Sequence, residues 1–308
     1  MIYLMMKNLS NMIQVTLNQL FQEYIELIDL LQSEQTIRTK KGYYRKHIKE
    51  PYGDKNINDL KYKDFQTLIN NLLKSGLKPK TVKNIKDLLQ VIYKMAIKLE
   101  YTSYNPLLDV ELPKFDNKRY FSYSLEHQQK LIKAILNFQE PIYKDIFLFL
   151  LHGRRLNEVL SIQWEMIDLN EKIYYIPAKI NKAKRNMSYS MTDELFEMLT
   201  SNYIQAKKEQ KLSIPLGYVF KNPKTGKKFV DLRKAWKRLL KTENLPHTRI
   251  HDIRHLIGTY SINHLEIPIE KVSHTLGHTS IEVTQKYITI NPDTARDVCE
   301  NIFNSIKN

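Results

Sequence analysis

The stretch HDIRHLIGTYSINHLEIPIEKVSHTLGHTSIEVTQKYI, residues 251–288, holds His251, Arg254, His278 and Tyr287. Imidazoles and a phenol crowded into one segment serve as core filler, as metal ligands or as reacting groups. A metal site is disfavoured by spacing: His251 and His255 have helical spacing without an HExxH frame, and His274 and His278 stand without a nearby carboxylate or cysteine. A nucleotide loop is disfavoured too, because PKTGKKF has a Gly-Lys pair but no four-residue spacer after an earlier glycine. Neither a metal nor another cofactor is therefore expected. A phosphodiester substrate suits the set better, since breaking it calls for cations on the nonbridging oxygens, an in-line nucleophile and a proton for the departing oxygen. Arginine fills the first role with its planar fork. His251 and Arg254 lie three apart and so share one helical face. A second arginine comes from LLHGRRLNEVLSIQW, where Gly153 permits a close turn and Arg155 enters a helix with Leu156, Val159 and Leu160 on its apolar side. Taken alone, Arg154 and Arg155 fit two surface charges equally well.

Bulk composition points the same way. The chain has 48 Lys and Arg against 33 Asp and Glu, a net charge of +15, which favours a polyanionic partner because phosphate contacts release condensed counterions. A lysine-rich proteome produces the same bias, so charge by itself does not name the partner. The lone Cys299 cannot close an internal disulfide, and Met1 to Met6 is a short apolar scrap without a cleavage-like stretch. A reducing, cytoplasmic setting follows as the expectation, and no apolar run approaches bilayer length, so no membrane partner is expected.

These residues need elements to position them, and 308 residues suffice for two cores. Residues 12–105 read as four short helices. Thr16 and Gln19 form a capping box ahead of Leu17, Leu20, Phe21, Tyr24 and Ile28. A second run begins near Thr36 and carries Arg38, Lys40, Lys41 and Arg45; a third includes Phe65, Leu68, Ile69 and Leu72; a fourth starts at Thr81 with Val82, Ile85, Leu88, Leu89, Ile92, Met95 and Ala96 on one stripe. Lys80, Lys83 and Lys86 add to the basic face at the start of the fourth. Either the charges are a solvated face or Arg38, Lys40, Lys41, Lys80, Lys83 and Lys86 meet a phosphate backbone. Residues 106–119, with Pro113 and no lasting periodicity, read as a linker. Residues 120–308 read as a mostly helical domain with a small antiparallel sheet: a hairpin KIYYIPAK–INKAKRN–MSYSM, a strand around YVFKN, helices near 252–265, 268–274 and 280–287, and a last amphipathic helix at 292–306.

Taken in order, these boxes resemble the tyrosine recombinase, or phage integrase, family. HGRRLNE resembles its TGxRxxE box, HDIRH its HxxR box, and LGHTSIEVTQKY its LGH box with the tyrosine nine residues on. The four basic helices followed by YNP resemble the family's core-binding domain, so the likeness runs from about residue 12 to the end. His152 departs from the usual threonine, and the hairpin matches only loosely. Counting back from Ser190 and Met191 gives Lys182 as the hairpin lysine, with Lys179 and Lys184 as alternatives. The resemblance implies a mainly helical core-binding domain plus a mixed α/β catalytic domain, and catalytic residues Arg155, Lys182, His251, Arg254, His278 and Tyr287. It also implies cutting and rejoining of duplex DNA through a 3′-phosphotyrosine intermediate and a Holliday junction, with the duplex at a specific recombination site clasped between the two domains and a homotetramer forming on paired sites. A tail helix carrying Ala295, Val298, Ile302 and Ile306 would dock on a neighbouring subunit. The short region before residue 12 fits a compact Xer-like or simple integrase architecture, for chromosome dimer resolution or mobile-element integration and excision. A type IB topoisomerase-like enzyme and a noncatalytic DNA-binding regulator are the alternatives.

Overall fold

The computed structural model describes residues 14–115, 123–285 and 287–288. The tail helix expected at 292–306, with Ala295, Val298, Ile302 and Ile306, lies outside the described residues. The chain divides into two compact units, Met1–Arg119 and Tyr120–Asn308.

The first unit is helical throughout: α1 (Leu17–Ile28), α2 (Glu34–His47), the single turn α3 (Lys49–Tyr52), α4 (Tyr62–Lys74) and α5 (Pro79–Lys98). Thr16 caps α1 as its sequence predicts, its hydroxyl accepting from the Gln19 amide while the Gln19 side chain accepts from the Thr16 amide. α2 starts slightly earlier than its apolar pattern indicates, because Ser33 accepts from the Thr36 amide and sets the first turn. α5 opens on Pro79, whose missing N–H costs nothing at a helix start. Val82, Ile85, Leu88, Leu89, Ile92 and Ala96 bury one side of α5 against Leu17, Leu20 and Phe65. Phe21 and Tyr44 stack across α1 and α2 with ring centroids 3.7 Å apart. Leu107 and Val110 are buried in this same core. The first part of the stretch read as a linker is therefore packed, held by Lys86 Nζ on the Val110 carbonyl and by the Glu111 amide on Gln66 Oε1 at 2.8 Å.

The second unit orders α6 (Leu125–Leu136), α7 (Pro141–Leu151), α8 (Leu156–Leu160), β1 (Ile167–Asp168), β2 (Ile173–Ile176), β3 (Met187–Ser190), α9 (Asp193–Gln210), α10 (Arg233–Thr242), α11 (Asp252–Asn263), α12 (Ile269–Leu276) and α13 (Glu282–Gln285). The sheet is antiparallel in the order β1-β2-β3, with Tyr174 opposite Tyr189 and Ile176 opposite Met187. Tyr174 and Ile176 alternate into the core while Tyr175 points outward, the period-two pattern of a half-buried strand. No strand forms at YVFKN. Gln163 bridges Tyr218 and Lys221 bridges Lys228 once each, the second bridge closing the 222–227 turn. α7 is the central element: Ile146, Phe147, Phe149 and Leu150 are buried, and Phe149 meets Tyr174 edge-on at 4.9 Å. The last turn of helix before the tyrosine is also shorter than expected, at Glu282–Gln285.

Candidate active site

α7 ends at Leu151, and the chain reverses through His152 and Gly153 into α8. Gly153 takes φ +75°, and a Cβ there would stand 2.7 Å from Leu276 Cδ2, so glycine is required twice over. Arg155 follows as the N-cap of α8. Glu158, 1% exposed, accepts from the Arg155 amide and from its guanidinium, each at 2.9 Å. One carboxylate thus fixes both the helix start and the arginine side chain.

Arg254 lies in the first turn of α11 and is 8% exposed. Its guanidinium donates to the Gly153 carbonyl and to the Leu276 carbonyl at the end of α12. Burial, then the neighbouring charge of Arg155, lowers its pKa to about 10, offset in part by Tyr287; it stays charged at neutral pH.

Tyr287 is 3% exposed and packs with Val272 and Leu276. Its ring lies over Gly258 so closely that a Cβ there would meet Tyr287 Cδ2 at 2.6 Å. His255 meets the ring edge-on at 5.2 Å, and His278 lies nearly parallel at 6.0 Å. Asn263 holds the Tyr287 carbonyl at 2.8 Å. Burial raises the phenol pKa, while the charge of Arg254, its hydrogen bond to the phenol and the charge of Arg155 pull it back. His278 is itself buried, with Nδ1 2.7 Å from Thr284 Oγ1. That contact holds the ring in place.

His251 caps α11 at an exposed position, yet enough of its ring is covered that desolvation lowers its pKa, with the charges of Arg249, Lys182 and Arg254 acting in the same direction. Lys182 sits on the exposed β2–β3 turn. Of the three hairpin lysines considered from sequence, it is the one whose charge acts on His251. Arg155, Lys182, His251, Arg254, His278 and Tyr287 therefore converge from α8, the hairpin, α11 and the segment after α12.

The six basic residues of the first unit are placed less uniformly. Arg38 is exposed and 3.5 Å from Glu34. Lys40 Nζ is bonded to the Tyr24 hydroxyl, Lys83 pairs with Asp87 at 2.8 Å, and Lys86 holds the Val110 carbonyl. Lys41 and Lys80 are exposed. Arg38, Lys41, Arg45 and Lys49 line one groove of about 1010 Å³ beside α1 and α2.

Sequence reasoning missed Arg154. It is 1% exposed, so the reading as a surface charge fails for it. Its Nε donates to the His152 carbonyl at 3.1 Å, and its guanidinium carbon lies 3.6 Å from the Tyr189 ring centroid. A second basic residue beside Arg155 carries no sequence mark that separates burial from exposure. Among the described residues no group of three His, Cys, Asp or Glu side chains is placed to hold a metal ion, and no helix is long and apolar enough to cross a membrane.

Known proteins share this architecture. Residues 124–293 match the phage integrase family, and residues 16–73 match the phage integrase N-terminal SAM-like domain. The chain is similar to a tyrosine recombinase XerC-like protein of Caldanaerobacter subterraneus subsp. tengcongensis, with 25% identity covering 89% of this chain and 79% of the relative. The Tn1549 transposon integrase in complex with circular intermediate DNA superposes with a TM-score of 0.73 at 20% identity, covering 92% of this chain and 99% of the other. A lambda integrase tetramer bound to a Holliday junction gives 0.69 at 14% identity, covering 92% and 80%. Since the catalytic-domain match spans residues 124–293 of 308, the chain belongs to the phage integrase family, the tyrosine recombinases that break and rejoin DNA.

Proposed function

We propose that the six converging side chains divide the labour of one phosphoryl transfer. The Tyr287 oxygen attacks the scissile phosphorus, the P–O5′ bond breaks, and the product is a 3′-phosphotyrosine with a free 5′-hydroxyl. His251, held neutral by its lowered pKa, takes the phenolic proton. Arg155 and Arg254 bind the nonbridging oxygens, where their charge meets the charge that develops during transfer. His278 donates a hydrogen bond to the same phosphate. Lys182 gives its proton to the departing 5′-oxygen. Because the protein link keeps the energy of the broken bond, rejoining is the reverse of these steps and consumes no cofactor.

The observation that carries this reading is the seating of Tyr287: its buried ring lies over Gly258 of α11, the helix that also holds His251 at its cap and Arg254 in its first turn. The partner is duplex DNA bearing a specific recombination site, in line with the net charge of +15. The active assembly is a homotetramer on two paired sites, as the likeness to a lambda integrase tetramer on a Holliday junction supports. Similarity to both a XerC-like recombinase and a transposon integrase leaves two roles for the same chemistry, chromosome dimer resolution and mobile-element integration or excision. The single Cys299 fits a cytoplasmic setting. Lys41 and Lys80, exposed on the first unit, are proposed as backbone contacts.

A nicked suicide substrate tests the assignment, because loss of the short 5′ fragment traps the covalent complex. The Tyr287→Phe variant should bind the site as the native protein does and form no adduct. Adduct on Y287F, or attachment mapped to a different tyrosine in the native protein, would overturn the assignment.

A further inference from the structure

The turn joining β2 to β3 is tied down far more than an exposed loop needs to be. Asn181, buried, points its amide at three carbonyls: Ile176 at 3.4 Å, Pro177 at 2.8 Å and Arg185 at 2.9 Å. The Ala178 amide donates to Asn186 Oδ1 at 2.9 Å and closes the base of the turn. Two ties then leave the hairpin. Asn157, in the first turn of α8 beside Arg155, donates to the Ile180 carbonyl at 3.4 Å. Arg185 donates from Nη2 to the His278 carbonyl at 2.8 Å. Lys182 follows Asn181 directly and lies between these anchors.

We infer that Asn181 and Arg185 are positioning residues, a latch that fastens the Lys182 turn to the His278 loop and so fixes where the lysine stands at the site. The inference rests on the reading of Lys182 as proton donor. A lysine ammonium rides on a flexible four-carbon stem, so its backbone must be held if it is to meet one oxygen reproducibly. Asn181 organises the turn internally. Arg185 joins it to the loop that carries His278, so the two arms of the site keep one spacing. Releasing Arg185 leaves Tyr287, Arg155 and Arg254 where they are, since Glu158 holds Arg155, the Gly153 and Leu276 carbonyls hold Arg254, and Asn263 holds the Tyr287 backbone. Only delivery of the proton to the leaving oxygen should suffer.

That selectivity separates a latch from a general structural role. In a suicide substrate whose 5′-bridging oxygen is replaced by sulfur, the leaving group departs as a thiolate and needs no proton, so a defect confined to proton delivery disappears. With ordinary DNA, Arg185→Ala should slow adduct formation by about tenfold or more, as a misplaced catalytic group does. With the sulfur substrate it should match the native rate to within about twofold. Arg185→Lys, which keeps a cationic donor of nearly the same reach, should fall between the native protein and Arg185→Ala on ordinary DNA. Lys182→Ala should show the same pattern more severely, and Arg254→Ala should be slow on both substrates. If Lys182→Ala is rescued by sulfur and Arg185→Ala is equally slow on both, Arg185 acts through His278 or the fold and the latch is wrong. Native rates for Arg185→Ala on ordinary DNA would also sink it. If Lys182→Ala is not rescued, the lysine assignment itself fails and the latch with it.

Discussion

Gly258 has no chemistry of its own, yet it decides where Tyr287, the proposed nucleophile, lies. A methyl group at that position would stand 2.6 Å from one Tyr287 ring carbon and 2.8 Å from two more, closer than packed atoms allow, so either the ring or α11 must move. Gly258→Ala should therefore bind the site with native affinity while forming adduct about tenfold more slowly or worse; a native adduct rate would show that the tyrosine reaches the phosphate from some other seat. His152 makes a different statement. It is partly buried next to Arg154, and burial followed by that charge pushes its pKa down to about 4. An unfolded histidine titrates near 6.5, so between these values the unfolded chain binds the extra proton, and stability rises with pH across that window. The second unit should lose stability as pH falls from about 6.5 toward 4, by at most ~3 kcal/mol from this group. Denaturant titrations at pH 7 and pH 5 check this: His152→Gln should shrink the difference between the two, and an unchanged difference would assign the acid sensitivity to other groups.

At the scale of elements, what the sequence made legible and what it hid have separate causes. The α1 cap, the apolar stripe of α5 and the 173–190 hairpin are local patterns, set by residues within a few positions of one another, and they stand where the pattern puts them. The boxes around Arg155, Arg254 and Tyr287 are legible through their resemblance, in order, to the boxes of the family, since residue type and spacing alone leave Arg154 and Arg155 undistinguished. The ties between those boxes are not, since Arg185 meets His278 and Arg254 meets Gly153 across stretches of chain that no local pattern connects. Arg154 shows the limit most plainly: its guanidinium stacks on Tyr189, which belongs to a different element, and no local pattern marks that contact. The YVFKN segment fails in the opposite direction. Its alternation is strand-like, but only a single pairing forms at each side, so the β propensity has no partner strand to act on.

For the whole molecule the charge of +15 is the dominant quantity, but the cations that compose it are not equivalent. Lys83 and Lys86 already have partners within the first unit, whereas Lys41 and Lys80 present exposed charge. Replacing Lys41 and Lys80 with alanine should flatten the salt dependence of nonspecific DNA binding, by about one unit of log–log slope for each phosphate that is no longer neutralised. Lys86→Met should leave that slope alone and instead lower the melting temperature, because the Val110 carbonyl loses its donor. Equal slopes for the double alanine variant and the native protein would assign Lys41 and Lys80 to solubility.

The two carbonyls gripped by Arg254 have a consequence for the order in which the protein becomes dangerous to DNA. They belong to residues 101 positions before it and 22 positions after it in the chain, so the arginine is seated only once α7, α11 and α12 have closed on one another. Contacts of such sequence separation form late, after local helices and the hairpin. A ribosome-bound chain that has exposed Arg155 and even His251 still lacks the Leu276 carbonyl and the nucleophile beyond it. On the proposed roles, synthesis from the N-terminus delivers the basic first unit before the Leu276 carbonyl and Tyr287, so a copy truncated before Leu276 should bind a duplex and form no adduct with it.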